Sequence, residues 1–309
     1  MKRFAAPVLM IVGALAFASM SAIGHRLGKE ASWQVIVLSR TVFSMVFSLV
    51  ILSLQGEKPI VFARPAMWLR SVAGAFGILC TFYAITHLTI AESATLTNTC
   101  PIWVVILAWV WTKKAPSAVQ SIAVGIAFVG IAMMQQPYFQ LNPLAITAAL
   151  GSACCLSVAM LSLNYLGSIN PCAVVLHFST VAAISSAFLV LSYGKTVEAY
   201  QLLTTPLIWS AIGVGLTGTL GQIAMTRAFG IGNPSVIATV SLTQIAFSLV
   251  LDWLCWNKVP SAVTSIGMAL IIAPVVWLIW NTPHSAENDR LSSVVENPTK
   301  QSRPLTSTC

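Results

Sequence analysis

Residues 113–122 read KKAPSAVQSI, and residues 257–266 read NKVPSAVTSI. The two phrases lie 144 positions apart, counted from proline to proline, and the match extends upstream at the same offset, where Thr99 aligns with Thr243. Internal similarity of this kind indicates a structural unit that the chain contains twice. We therefore begin from the prediction of a duplication.

The composition is that of an integral membrane protein. Hydrophobic residues make up 57% of the 309 residues and charged residues 8%, whereas a soluble domain carries about 25% charge. The apolar runs are long enough to cross a hydrocarbon core of about 30 Å, and in lipid such runs satisfy their backbone groups as helices. The net charge of +8 is then explained by membrane topology, and we expect no nucleic-acid partner.

The chain contains ten candidate transmembrane helices, and short breaks rich in proline and glycine separate them. No loop is long enough for a soluble domain. The predicted spans are 5–24, 34–54, 67–87, 90–111, 118–135, 143–163, 172–193, 207–228, 235–256 and 262–281.

The duplication divides these spans into two units of five helices. Residues 1–137 hold the first unit, 138–282 the second, and 283–309 a polar segment that we predict to be a disordered cytoplasmic tail. Because five is odd, the second unit enters the membrane from the opposite side. Inverted repeats of this kind are typical of secondary transporters that work by alternating access.

The distribution of Lys and Arg predicts the orientation. With ten spans and a cytoplasmic N-terminus, eleven of these residues, Arg70 among them, fall on the cytoplasmic side and four on the other. The positive-inside rule then predicts a multi-pass protein of the cytoplasmic (inner) membrane with both termini in the cytoplasm. A monomer or a homodimer is compatible with the sequence.

Three stretches resemble a known family. FYAITHLTIAESATLTNTCPIWVVILAW (82–109), ASWQVIVLSR (31–40) and GQIAMTRAFGIGNPSVIATVSLTQ (221–244) are similar to segments of the EamA family in the drug/metabolite transporter superfamily. The resemblance covers about residues 5–281 and implies ten helices in two EamA repeats. The family usually has a glutamate where this chain has Lys114 and Lys258, so any role of that glutamate is in doubt here.

Polar side chains within the predicted spans are the candidates for binding a substrate, because such groups usually face a bundle interior or a wet cavity. Thr95 and Thr99 share one helix face, as do Thr239 and Thr243. The two faces suggest one central cavity, and the alternative is hydroxyls that bond within their own helices. Glu92 could bind a cation or a proton, or could stabilise a helix N-terminus.

Other side chains have structural or coupling alternatives. Arg40 is expected to be paired with a helix C-terminus or an acid, and His177 to be packed and hydrogen-bonded, with a titrating role as its alternative. Pro101 frees a backbone carbonyl beside Asn98, for a ligand or a hinge. The substrate-binding candidates are Glu92, Thr95, Asn98, Thr99, Trp103, Tyr83, Asn164, Gln222, Thr239, Thr243 and Gln244, and the structural or coupling candidates are Arg40, His177 and Pro101.

The function predicted from these features is secondary transport of a small organic metabolite. Relatives suggest S-adenosylmethionine, an amino acid or a vitamin-like compound, and Glu92 favours a cationic or zwitterionic one. An intramembrane enzyme and a non-transporting accessory protein are the alternatives. The sequence has no paired acids, no HExxH motif and no nucleotide-binding motif, so we expect no catalytic residues, no metal and no cofactor.

Overall fold

The computed structural model describes residues 4–60, 64–88, 90–113, 115–135, 142–257 and 261–281. Regular structure in these ranges is α-helical, which confirms the all-α prediction, while the predicted tail at 283–309, Lys114 and Lys258 lie outside them. The helices are α1 (Ala5–Leu27), α2 (Trp33–Leu54), α3 (Pro65–His87), α4 (Ile90–Thr97), α5 (Cys100–Thr112), α6 (Ala118–Gln135), α7 (Pro143–Asn164), α8 (Pro171–Ser192), α9 (Thr196–Thr204), α10 (Ile208–Ile231), α11 (Pro234–Ser241), α12 (Thr243–Trp256) and α13 (Ala262–Asn281).

The helices form a membrane-spanning bundle. Among the described residues, nine segments are long and apolar enough to cross a bilayer, and they correspond to nine of the ten predicted spans. The third predicted span is α3, a helix of 23 residues that packs against α7 and α8. The fold is thus that of an integral membrane protein.

The fourth and ninth predicted spans are each interrupted near the middle. In the fourth, the amide of Thr99 donates to the carbonyl of Leu96 at 3.2 Å, and in the ninth, the amide of Leu242 donates to Thr239 at 3.1 Å. In both bonds the donor and the acceptor are three positions apart in the sequence instead of four, so each span tightens locally into a 3₁₀-like turn. Proline follows only the first interruption, so proline alone does not cause them.

The duplicated phrases have the same local geometry. Each begins with a residue in the left-handed region that ends the preceding helix, Lys113 at φ 56° and Asn257 at φ 52°. The serine of each phrase then caps the next helix. The Ser117 hydroxyl accepts from the amide of Gln120 at 3.2 Å, and the Ser261 hydroxyl accepts from the amide of Thr264 at 3.2 Å. Each phrase is therefore a stop signal followed by a start signal.

The largest helix interfaces join the two predicted units. They are α1 with α10, α3 with α7, α6 with α13 and α2 with α8. In the α6–α13 interface the backbones touch, because a Cβ added at Gly130 would lie 2.6 Å from the carbonyl oxygen of Gly267. The division into two inverted repeats stays a prediction, and this pairing of helices agrees with it.

A short helix, α9, was not predicted from the sequence. It follows α8, and we call the end of the bundle where it lies the α9 end. The carboxylate of Glu198 on α9 accepts a hydrogen bond from the backbone amide of Ser32, which precedes α2, and it pairs with Lys195 at 3.2 Å. The contact therefore ties the two predicted units together at this end.

Replacing Lys113 with glycine should stabilise the protein. A side chain at positive φ costs about 1 kcal/mol or more, and glycine removes that cost at the expense of some backbone entropy. We expect the midpoint of thermal unfolding in detergent to rise with Lys113→Gly. Asn257→Gly is the matched control and should change it less, since asparagine tolerates this conformation. Equal shifts would contradict the assignment of strain to Lys113.

The Glu198 contact should make stability depend on pH. Burial alone would raise the pKa of this carboxyl, but hydrogen bonds from Ser32 and the Lys195 ammonium together hold the pKa below its usual value of 4.5. The contribution is therefore complete above about pH 4.5 and is lost as the pH falls through the lowered folded-state pKa. Glu198→Gln should cost about 1 kcal/mol at pH 7, and thermal unfolding across pH should show this cost shrinking below pH 4.5. A cost that is independent of pH would contradict this account.

Candidate functional site

A polar cluster lies inside the bundle where α2, α3, α8 and α10 meet, and Arg70 on α3 is its most buried charge, with 3% of its surface exposed. Its Nη2 donates to Oε1 of Gln222 at 2.9 Å, and its guanidinium stacks on the Phe178 ring at 4.2 Å. Gly74, one turn further along α3, leaves room for this side chain, because an added Cβ would lie 2.5 Å from Nη1.

Arg40 on α2 is the second guanidinium of the cluster. It is half-buried, and a Cβ added at Gly218 on α10 would lie 3.6 Å from its Nε. The positive charges of Arg40 and Arg70 are close enough to act on each other. In the part of the chain that the structure describes, neither has an acidic partner within 4.0 Å. No acid pairs with Arg40 among the described residues, and the other predicted partner, a helix C-terminus, stays a prediction.

Hydrogen bonds between neighbouring spans surround the two arginines. Ser71 on α3 bonds to Nδ1 of His177 on α8 at 2.7 Å, so His177 is hydrogen-bonded as expected. Its ring also meets the edge of Trp68, with centroids 4.7 Å apart. The hydroxyls of Ser44 and Thr219 join α2 to α10 at 2.8 Å. These contacts fix the faces of α2, α3, α8 and α10 that carry the cluster.

A cavity of about 280 Å³ lies at the α9 end of the bundle, between α2, α3, α7 and α8. This volume is close to the lower limit of small-molecule sites, about 300 Å³. Aromatic rings dominate its wall, with Trp33 and Tyr193 in edge contact at 6.3 Å, and Tyr193 is exposed. The lining residues are Trp33, Leu79, Cys80, Tyr83, Ala148, Leu189 and Tyr193.

Helical periodicity connects this cavity with the arginine cluster. Trp33 and Arg40 are two turns apart on one face of α2, and Leu189 and Phe178 are three turns apart on one face of α8. Two of the helix faces that line the cavity therefore continue down to the guanidinium groups, with about 10 Å of helix between Trp33 and Arg40.

The candidates on the fourth span lie elsewhere. Glu92, Thr95 and Thr99 are buried on segments that pack against α7, and Glu92 and Thr95 have interactions of their own. The Thr99 hydroxyl donates to the carbonyl of Leu96 at 2.6 Å, and the Asn98 amide donates to Ala94 at 2.8 Å. Thr99 thus bonds back within its own span, as the alternative interpretation of the threonines expected, and Asn98 does the same.

The second-unit candidates are also mostly engaged locally. The hydroxyls of Thr239 and Thr243 donate to carbonyls one turn earlier, at 2.9 and 2.8 Å, and Gln244 is half-buried in the first turn of α12. Asn164 donates to the carbonyl of Phe229 at 2.9 Å and to that of Gly232 at 3.2 Å. It therefore ties α7 to the end of α10.

Four of the residues predicted from the sequence remain to be placed. Trp103 is half-buried against the main hydrophobic core, and Pro101 occupies the first turn of α5, where a missing amide costs little. Tyr83 lines the cavity and Gln222 holds Arg70. Of the predicted residues, the structure thus brings Arg40, His177 and Gln222 together, with Tyr83 at the cavity above them.

Arg70 was not among the predicted site residues, because it was counted only as a positive charge of the cytoplasmic side. Its guanidinium lies in the bundle and bonds to Gln222, while the side of the membrane stays a prediction. The spacing of Gly74 and Gly77 after Arg70, along one face of α3, could have indicated a large side chain that needs room. Within the described residues, no three His, Cys, Asp or Glu side chains are grouped to hold a metal ion.

Comparison with known proteins identifies the family. The profile of the EamA-like transporter family matches residues 5–135, which is the first predicted unit. Over these residues the chain is similar to EamA-like transporters. The resemblance stated above is confirmed for this half, and the second EamA repeat at 138–282 stays a prediction. At the level of the family, the protein is a multi-pass membrane transporter of small molecules.

Known transporters match over most of the chain. The pseudopaline exporter CntI of Pseudomonas aeruginosa is 26% identical over 282 residues, which cover 88% of this chain and 94% of the relative. Solute carrier family 35 member G1 of Homo sapiens is 22% identical over 219 residues, covering 66% of this chain and 59% of the relative. A crystal structure aligns with a TM-score of 0.76 at 14% identity, covering 89% of this chain and 96% of the other, and it supports the fold alone.

Adding a methyl group at Gly74 should disturb the arginine cluster. The Cβ of Gly74→Ala would collide with Arg70 Nη1 and, at 2.8 Å, with Cε2 of Phe178, and overpacking of this kind costs about 1–3 kcal/mol. Gly151→Ala on α7 is the control, because its Cβ would meet nothing within 4 Å. Thermal unfolding should show a loss of stability for Gly74→Ala and none for Gly151→Ala. A harmless Gly74→Ala would mean that Arg70 is not confined as described.

Proposed function

We propose that this EamA-like protein is a secondary transporter that moves a small organic metabolite across the cytoplasmic membrane by alternating access. The observation that carries the proposal is an asymmetry between the two ends of the bundle. The cavity lies at the α9 end and reaches the surface at Tyr193. At the opposite end, the same bundle is closed by direct contacts.

The closed end is held by backbone and amide contacts. A Cβ added at Gly167, just after α7, would lie 2.3 Å from the carbonyl oxygen of Gly230 on α10. Asn164 bonds to two carbonyls near the end of α10, and Asn170 donates to Gln55 at 2.7 Å. A protein open at one end and closed at the other has the form of one state in an alternating cycle.

The packing of the two units supports the same mechanism. The pairs α1 with α10 and α3 with α7 join corresponding helices of the predicted repeats, because the first and third helices of one unit meet the third and first of the other. If the two repeats exchange their conformations, the α1–α10 pair adopts the packing of the α3–α7 pair, and the α3–α7 pair adopts that of α1–α10. A conformation that is open at the opposite end can therefore form with the same kinds of helix contact.

The proposed substrate is a small polar metabolite, with S-adenosylmethionine, amino acids and vitamin-like compounds as the first candidates. The cavity volume of about 280 Å³ and its aromatic wall suit a compound of that size with an apolar or flat part. The proposed direction is export, because the pseudopaline exporter of Pseudomonas aeruginosa aligns over nearly its whole length. We propose no catalytic residue.

Counterflow in proteoliposomes tests the proposal. Vesicles that contain the purified protein and an excess of unlabelled substrate should transiently accumulate the labelled compound above equilibrium, because a carrier exchanges one molecule for another. A panel of S-adenosylmethionine, amino acids and vitamins would be screened. A channel would equilibrate the label without overshoot, and that result, or no protein-dependent flux for any compound, would contradict the proposal.

A variant at the closed end sharpens this test. The Cβ of Gly167→Ala would clash with Gly230 and hinder closure at the opposite end, so the exchange rate should fall severalfold. Gly125→Ala on α6, whose Cβ would meet nothing within 4 Å, is the matched control and should exchange at the wild-type rate. Equal rates for the two variants would show that closure at Gly167 is not part of the cycle.

A further inference from the structure

We propose that Arg40 and Arg70 together bind an anionic group of the substrate, a carboxylate or a phosphate. The inference rests on the transporter function proposed above and names the chemical class that this function would serve. It concerns two guanidinium groups from α2 and α3 that meet the same face of α10.

The two guanidinium groups approach neighbouring positions on one face of α10. Gly218 and Gln222 are one turn apart on α10, and neighbours at this spacing have Cβ positions about 5–6 Å apart. Arg40 Nε approaches Gly218, where an added Cβ would be 3.6 Å away, while Arg70 Nη2 donates to Gln222 at 2.9 Å. One small ligand group can therefore reach both arginines.

Several donors in this cluster have no acceptor within the described part of the protein. A guanidinium carries five N–H groups. Arg70 uses one of them on Gln222, and its Nε is buried without a partner. Among the residues that the structure describes, Arg40 has no hydrogen-bond acceptor at all. Donors left unfilled inside a bundle indicate a group that is supplied from outside.

The charge of the cluster is also uncompensated. Within the described ranges no carboxylate lies within 4.0 Å of either guanidinium, and the two positive charges oppose each other. A buried charge without a counterion is costly, and in membrane proteins such a charge usually marks a substrate or ion pathway. An anion bound between Arg40 and Arg70 would supply both the acceptors and the missing charge.

The geometry selects oxyanions over other acceptors. The planar fork of a guanidinium matches carboxylate and phosphate oxygens in pairs. The remainder of such a ligand would extend along α2 toward Trp33, Tyr83 and Tyr193 in the cavity, about 10 Å from Arg40. The substrate class is therefore an organic anion or zwitterion with an apolar part. Amino acids and S-adenosylmethionine carry the required carboxylate, and uncharged vitamins do not.

Matched pairs of compounds test the carboxylate directly. The purified protein in a neutral detergent would be titrated with L-histidine and histamine, L-tyrosine and tyramine, and S-adenosylmethionine and its decarboxylated form, with thermal unfolding as the readout. At least one carboxylate compound should raise the unfolding midpoint, and its partner without the carboxylate should bind on the order of tenfold to a hundredfold more weakly. An organic phosphate and a simple phosphate salt would be titrated alongside. Stabilisation by the organic phosphate alone would assign the site to phosphate compounds.

Gln222→Glu is the sharpest variant, since it places a carboxylate of almost the same size beside Arg70. It should raise the unfolding midpoint of the ligand-free protein and weaken binding of the carboxylate compound at least tenfold. Arg40→Gln should leave the ligand-free midpoint unchanged or higher and also weaken binding, while Arg40→Lys should keep part of the affinity. Arg227→Gln, at an exposed position of α10, is the control and should change neither quantity.

Two results would overturn the inference. One is equal binding within every matched pair, or no stabilisation by any carboxylate or phosphate compound. The other is a lower ligand-free midpoint in both Arg40→Gln and Gln222→Glu, which would make the arginines structural. Counterflow separates this failure from that of the proposed function. Flux without preference for the anionic partner defeats only the anion site, while selective binding without flux defeats only the transporter.

Discussion

The structure depends on one constraint, which is that hydrocarbon offers no partner to a polar group. Backbone amides meet this constraint by forming helices. Most hydroxyls of the spans meet it by donating to a carbonyl one turn earlier or by bonding to a side chain on a neighbouring span. Ser44 with Thr219 and Ser71 with His177 are of the second kind. Against this background of paired groups, the guanidinium groups of Arg40 and Arg70 differ, and the proposed anion site follows from that difference.

The same constraint explains why the cluster is stable enough to exist. Arg70 keeps one strong acceptor and a ring beneath it, and Gly74 and Gly218 leave room for the side chains of Arg70 and Arg40. Packing of neighbouring residues thus holds the two like charges in place. Among the described residues, no carboxylate lies close enough to compensate them. The anion site that we propose here would suit an oxyanion and not a cation, in contrast to the expectation that Glu92 prompted.

The sequence predicted those features that depend on local rules. Apolar runs located nine spans, and the duplicated phrase predicted a helix end and a helix start, which Lys113 and Ser117 provide. It failed where the outcome depends on which faces meet. Arg70 was counted with the positive charges of the cytoplasmic side, and only the packing of α3 and its bond to Gln222 show it inside the bundle. Thr95, Thr99, Thr239 and Thr243 have the right spacing for a cavity face, yet Thr99, Thr239 and Thr243 bond back to their own helices.

The contact between Gly130 and Gly267 has a mechanical consequence. Where two helix backbones touch and Met134, Leu270 and Ile271 pack around the contact, separation of the helices would open a void in the core. The α6–α13 pair is therefore suited to act as a rotation axis. The rest of each unit can rotate about it while the distance between the two helices stays constant. The large displacements would then be confined to α2, α3, α8 and α10, which carry the arginine cluster. The lipid-facing edge of the protein would move little.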